Sequence, residues 1–316
     1  MDSPLIQIRD LQCDLAWRML ATHGAPVQAQ PIRGAAVDPE CVLILSSICA
    51  EYDARSAELA LWFGAATHKS LSTTRATRIA RDIGAAGERA LARFGATAEL
   101  HGLGDLRAWS KRPESQAAIP WGIDYSPDRL GERIGGLKSV SPALREAGAL
   151  RLRLRMAIGV GARAEALAML LVESRFWDGR GEGWLTLPQL EAGTSYGKRF
   201  LLDSLPDMAS AGLILHAREG RSHRFAANPN FARVINPVPT IWGDWPRKLA
   251  LFTAIEHALN NLASSPTITT TLAEARALKE FTGPFAAYEP PSDPDKAVPQ
   301  FELWCTNAAR FIVDVE

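Results

Sequence analysis

The side chains that could act together chemically in this chain are mostly basic. Lys198 and Arg199 directly follow Ser195, Tyr196 and Gly197, and Arg218, Arg221, His223 and Arg224 crowd a second short run. Guanidinium and ammonium groups gathered in this way bind phosphates, and hydroxyls beside them add donors. A third set, Arg75, Arg78 and Arg81, recurs at steps of three with Lys69, Arg89 and Arg93 nearby, which on a helix puts the three on one face. That set is a candidate second basic face; arginine stems lying over a helical bundle with solvated heads are the commoner outcome.

Catalytic patterns fail one by one. Gly64-Ala-Ala-Thr-His-Lys-Ser70 imitates the end of a phosphate-binding loop, but His68 stands where a glycine is needed and a helical rather than a strand pattern precedes it. Gly159-Val-Gly161 lacks the third glycine of a dinucleotide fingerprint. His23, His68, His101, His216, His223 and His257 form no metal-ligand spacing, and no Gly-x-Ser-x-Gly elbow occurs. The expectation is therefore no catalytic residue, no metal and no cofactor.

Composition sets the class. A chain of 316 residues exceeds the size at which single cores stop growing, about 250 residues, so more than one core is expected. Hydrophobic residues at 47% and charged residues at 22% are ordinary for a globular protein. The start has neither a basic leader nor an apolar run, and no window has the length of a membrane span, so a soluble, cytoplasmic protein without membrane contact is expected. Cys13, Cys41, Cys49 and Cys305 form no Cys-x-x-Cys pair, which fits free thiols in a reducing compartment. The zero net charge hides an asymmetry: residues 150–235 carry twelve basic against eight acidic side chains, and residues 236–316 carry six against ten. A basic middle facing a polyanion is one source of such a bias, and solvated faces are another.

The elements that must position these groups read as mainly helical. Leu11 to Met19 has helical spacing; Asp38 is a good N-cap before Pro39, and Cys41 to Ala50 is apolar almost all round, as in a buried helix. Helices continue over Ala54 to Ala66 and from Ser72 through Ile83 toward Phe94, giving an all-helical bundle over 1–100. Glycines and prolines break the pattern over 101–149, a linker or irregular segment that Trp109 and Trp121 would dock. Leu150-Arg-Leu-Arg-Leu-Arg155 alternates like a strand, although Met156 to Val160 and Arg163 onward favour a helical entry; Arg163 to Ser174 is a clear helix. Phe176 and Trp177 close it, and 178–183 is a glycine-rich loop. Thr186 caps a helix over Leu187 and Pro188 that Gly193 ends, and the next helix begins at Thr194 or Ser195. Its buried stripe is Phe200 or Leu201, then Leu205, Met208 and Leu213, leaving Ser195, Tyr196, Lys198, Arg199 and Asp203 outward. Beyond 236 come a long amphipathic helix over Arg247 to Leu262, a helix over Thr271 to Phe281, a loop over 284–299 and a last helix or strand to Val315, a region for dimerisation or partner binding. Trp242, Trp245 and Trp304 either line a ligand or partner pocket or belong to the core.

Residues 150–231 resemble bacterial winged helix-turn-helix regulators of the MarR and ArsR type. The likeness rests on Leu205-Pro-Asp-Met-Ala-Ser-Ala-Gly-Leu213, which matches a recognition-helix ending, and on Ile214 to Ala226, which matches two wing strands joined by a turn at Glu219-Gly220-Arg221. The resemblance implies a transcriptional regulator that binds double-stranded DNA, acting as a homodimer. Ser195, Tyr196, Lys198 and Arg199 would meet the major groove, and Arg218, Arg221, His223 and Arg224 the phosphates or minor groove. Pro206 departs from the pattern, since proline inside a helix removes a backbone hydrogen bond; a helix starting near Ser204 would leave Lys198 and Arg199 in a loop. The alternative is a non-catalytic interaction protein, such as a regulatory, antitoxin-like or defence-associated partner of another protein, with the winged helix as its docking surface.

Overall fold

The computed structural model describes residues 3–25, 27–103, 109, 119–123, 144–173, 183–282 and 293–314. Most of the expected 101–149 linker, Phe176 and Trp177, most of the 178–183 loop and most of the 284–299 loop lie outside the described residues. The chain is mainly helical, as its patterning predicts. No helix among the described residues is long and apolar enough to cross a membrane.

The bundle begins with α1 (Pro4–Thr22), and after the two-residue β1 (Ala35–Ala36) come α2 (Pro39–Cys49), α3 (Ala54–Thr67), α4 (Thr73–Ile83) and α5 (Ala85–Leu100). Asp38 caps α2 as expected, accepting from the backbone N–H of Glu40 at 3.0 Å, and every residue of α2 is buried. A helix hydrophobic on all sides must lie inside, and α2 is the central rod of the bundle. Trp109 and Trp121 pack on Phe94, with ring centroids at 5.7 and 6.3 Å.

The central unit runs α6 (Leu150–Ile158), α7 (Ala162–Glu173), β2 (Leu185–Thr186), α8 (Leu187–Thr194), α9 (Lys198–Ser210), β3 (Ile214–Glu219) and β4 (Ser222–Ala227). The strands form an antiparallel sheet in the order β2-β4-β3. Helices packed against a protruding hairpin make this a second unit, with the hairpin as its wing. Its core gathers Leu150, Leu167, Leu190, Leu201, Leu205 and Phe225.

Two expectations here are corrected, and the placement of Pro206 inside a helix is borne out. Gly193 does not end α8 but lies within it, close against the flexible end of the Met169 side chain. Ser195 instead closes the helix in the left-handed conformation at φ 63°. The second helix of the pair starts at Lys198, with Gly197 as N-cap, so Ser195 and Tyr196 belong to the turn. Pro206 is accommodated inside α9, on its exposed side, and the helix continues to Ser210.

The chain then returns to the bundle. β5 (Ile241–Trp242) pairs in parallel with β1, matching Ala36 to Trp242. α10 (Trp245–Ser264), α11 (Ile268–Thr282) and α12 (Ala297–Val313) complete the order. Trp245, Phe252, Phe301 and Ile312 share one apolar core with Leu15, Val42, Phe63 and Phe94. The carboxy-terminal helices thus complete the amino-terminal bundle, and the winged unit is threaded between its two halves.

Candidate nucleic-acid interface

The hairpin is positioned by its base and free at its tip. Ile214 and Phe225 are buried, whereas Arg218, Arg221, His223 and Arg224 are all exposed. Glu219 pairs with Ser222, so the turn has two residues, and Gly220 at φ 60° occupies the position where a hairpin turn needs positive φ. Strand alternation separates the basic groups. Arg218 is directly opposite His223 on the face that continues from Phe225; Arg224 is opposite Ala217 on the other face. Arg224 forms a 2.7 Å ion pair with Glu219, and the Arg218 Nε donates to the Gly220 carbonyl at 3.0 Å. Arg221 projects from the turn itself. His223 and His216 share a 2.8 Å hydrogen bond between ring nitrogens, with His216 stacked on Phe225 at 4.9 Å. Among the described residues Arg218 and Arg221 have no carboxylate partner, and with His223 they form the exposed edge of the wing.

On α9, Leu201, Leu205 and Met208 face the core as expected, while Phe200 is 62% exposed and Leu202 43% exposed. Lys198 and Arg199 stand exposed in the first helical turn, at the positive end of the helix. Glu191 accepts from the Lys198 backbone N–H at 3.0 Å and holds that end in place. Asp207 is paired with Arg163 at 2.5 Å. Tyr196, expected outward, is instead half-buried against the winged-unit core, and burial pushes its phenol pKa up. Ser195 is half-buried in the turn. Of the residues expected at the groove, Lys198 and Arg199 remain available as side chains.

The second basic face is also corrected. Arg78 and Arg81 are exposed on α4, but Arg75 is buried at 5% exposure. It donates to Asp38 at 2.7 Å and to Glu40 at 2.5 Å. With it lie Arg151, Arg155 and Glu165, so six ionised groups of zero net charge meet inside the protein, each with side-chain exposure of 4% or less. Arg151 bridges Asp38 at 2.8 Å and Glu165 at 2.5 Å. Arg155 bridges Glu40 and Glu165, both at 2.6 Å. Burial raises the carboxyl pKa values of Asp38 and Glu165, but the facing arginines outweigh it and hold both low. Sequence patterning does not reveal this cluster. Its one signal is the spacing of Arg151 and Arg155, four apart and so on one helix face.

The cluster joins the bundle, through Asp38, Glu40 and Arg75, to the winged unit, through Arg151, Arg155 and Glu165. It fixes how α6 and α7 sit on the bundle and hence where the wing points. Among the described residues no group of three or more His, Cys, Asp and Glu side chains could hold a metal ion. No family model, curated protein or solved structure matches this chain.

Proposed function

We propose that the chain is a DNA-binding transcriptional regulator that uses its winged helix-turn-helix on duplex DNA, two copies binding together as a homodimer. The observation that carries this reading is the geometry of the exposed cations. Lys198 and Arg199 occupy the amino-terminal turn of the second helix of the pair, where a recognition helix meets base edges, and Arg218 and Arg221 extend from a hairpin beside it. Phosphate contact would supply most of the affinity, and base-edge contact its sequence preference. A winged helix reads few base pairs, so a two-fold pair doubles the site.

The experiment is selection of duplexes from a random pool by the purified chain. Enrichment of one sequence, with binding weakened by Arg199→Ala, supports the proposal; failure to enrich any sequence sinks it. A second reading, a docking module for a protein partner, is favoured by Phe200 and Leu202, which expose apolar surface on the same helix. Stoichiometric co-purification of a partner, abolished by Phe200→Asp in the absence of DNA retention, would select that reading.

A further inference from the structure

A cleft of about 680 Å³ opens between the bundle and the winged unit. Met169 and Leu185 of the winged unit, Trp242 of the β1–β5 pair, and Pro246 and Ala250 of α10 supply its apolar surface. Trp242 is held firmly there: its indole N–H donates to the Gly193 carbonyl at 3.0 Å, and the Arg151 guanidinium lies 4.7 Å from its ring centroid.

The charges around the cleft do not balance. Asp38, Arg75 and Arg151 line its floor and belong to the neutral buried cluster, yet the Nε–H groups of both arginines find no acceptor among the described residues. Buried donors left unmatched are costly, and such positions call for an acceptor. Around the walls stand Asp82, Glu173 and Asp244 against Arg247 alone. Asp82 is 4.0 Å from Arg78 in a half-exposed pair that does little to neutralise it. Neither Glu173 nor Asp244 is within ion-pair distance of a cation among the described residues, although Lys248 feels the Asp244 charge, and burial pushes the Glu173 carboxyl pKa up. A half-buried carboxylate with no ion pair among the described residues, in a cleft also lined by an indole and a thioether, suits a cation with an apolar body.

We propose that this cleft binds a small organic amine: its ammonium among Glu173, Asp244 and Asp82, its aromatic or aliphatic body against Trp242 and Met169, and an oxygen acceptor toward the arginine floor. Ligand binding here does not depend on the DNA reading, and it can be measured without DNA.

The test is calorimetric titration of the full chain with three probes sharing an indole body: tryptophanamide, tryptamine and indole-3-acetate. The amines are expected to bind at one site per chain, and the acetate at least about tenfold more weakly, the scale of one charge-assisted hydrogen bond. Glu173→Gln and Asp244→Asn, singly and together, are expected to lower amine affinity stepwise without lowering the unfolding midpoint, since neither carboxylate has an ion pair to lose among the described residues and burial of the Glu173 charge is a cost the glutamine removes. The proposal is overturned if indole-3-acetate binds as tightly as the amines, if amine affinity is unchanged in the double variant, or if neither amine binds at millimolar concentration.

Discussion

Arg155 is fully buried, and each of its three nitrogens donates: Nε to Glu165, Nη1 to Glu40 and to the Ser70 carbonyl, Nη2 to Glu40. Burying six charges is worthwhile only because nearly every lone pair and proton is matched, so removing one partner costs far more than the intact cluster contributes. Arg155→Met, which keeps volume but strands Glu40 and Glu165, is expected to destabilise the chain by about 3–5 kcal/mol in urea unfolding. A loss below about 1 kcal/mol would show that water reaches the cluster.

His23 adds a separate titration. It is buried, its neutral Nδ1–H donates to the Met19 carbonyl at 2.9 Å, and burial lowers its pKa from 6.5 to about 4. The unfolded chain therefore takes up a proton below pH 6.5 that the native one refuses until about pH 4. Stability present above the upper limit is lost between the two, in all about 3 kcal/mol. Asp38 and Glu165, held low by arginines, keep their stabilisation above the ordinary carboxylate range and lose it as pH falls below. Denaturant midpoints are thus expected to drop from pH 7 to pH 5, and His23→Asn to flatten that drop; an unchanged drop in the variant would assign it elsewhere.

At the scale of elements, α9 carries an internal proline whose missing N–H would otherwise donate to the Leu202 carbonyl. Pro206 is exposed, so Pro206→Ala restores that bond without disturbing the core and is expected to stabilise the chain by about 1–3 kcal/mol in thermal unfolding. A destabilised variant would mean that the proline bends the helix into a shape the sheet requires. The existence of α9 and of the hairpin is legible in sequence because Leu201, Leu205 and Met208 recur at helical spacing and Gly220 marks the turn. α6 is not. Its leucines and two of its three arginines are buried, Leu150 and Leu154 in the winged-unit core, Leu152 in the bundle core, Arg151 and Arg155 in the ion cluster. With only Arg153 partly exposed over these residues, the helix leaves little 3.6-residue rhythm to read, and period two is what remains. Arg75 is misplaced by spacing for a related reason: its position puts it on a face with Arg78 and Arg81, but whether a charged residue turns inward depends on partners distant in sequence, here Asp38 and Glu40.

At the scale of the molecule, two apolar cores are locked together by a neutral ionic cluster and a two-residue strand bridge, with the wing and the start of α9 left outside. The exposed cations there are few, and Arg224 is already paired with Glu219, so a definite and modest electrostatic dependence is expected. Each phosphate contact releases counterions and adds about 0.9 to the slope of log affinity against log salt. The most direct test is duplex binding measured by anisotropy across a salt series for the wild-type chain and for Arg218→Ala and Arg221→Ala. The predicted result is affinity that falls steeply with salt, with each substitution weakening binding and lowering the slope by about one unit. Binding that ignores salt, or a slope untouched by both substitutions, would contradict the proposal that this wing grips DNA.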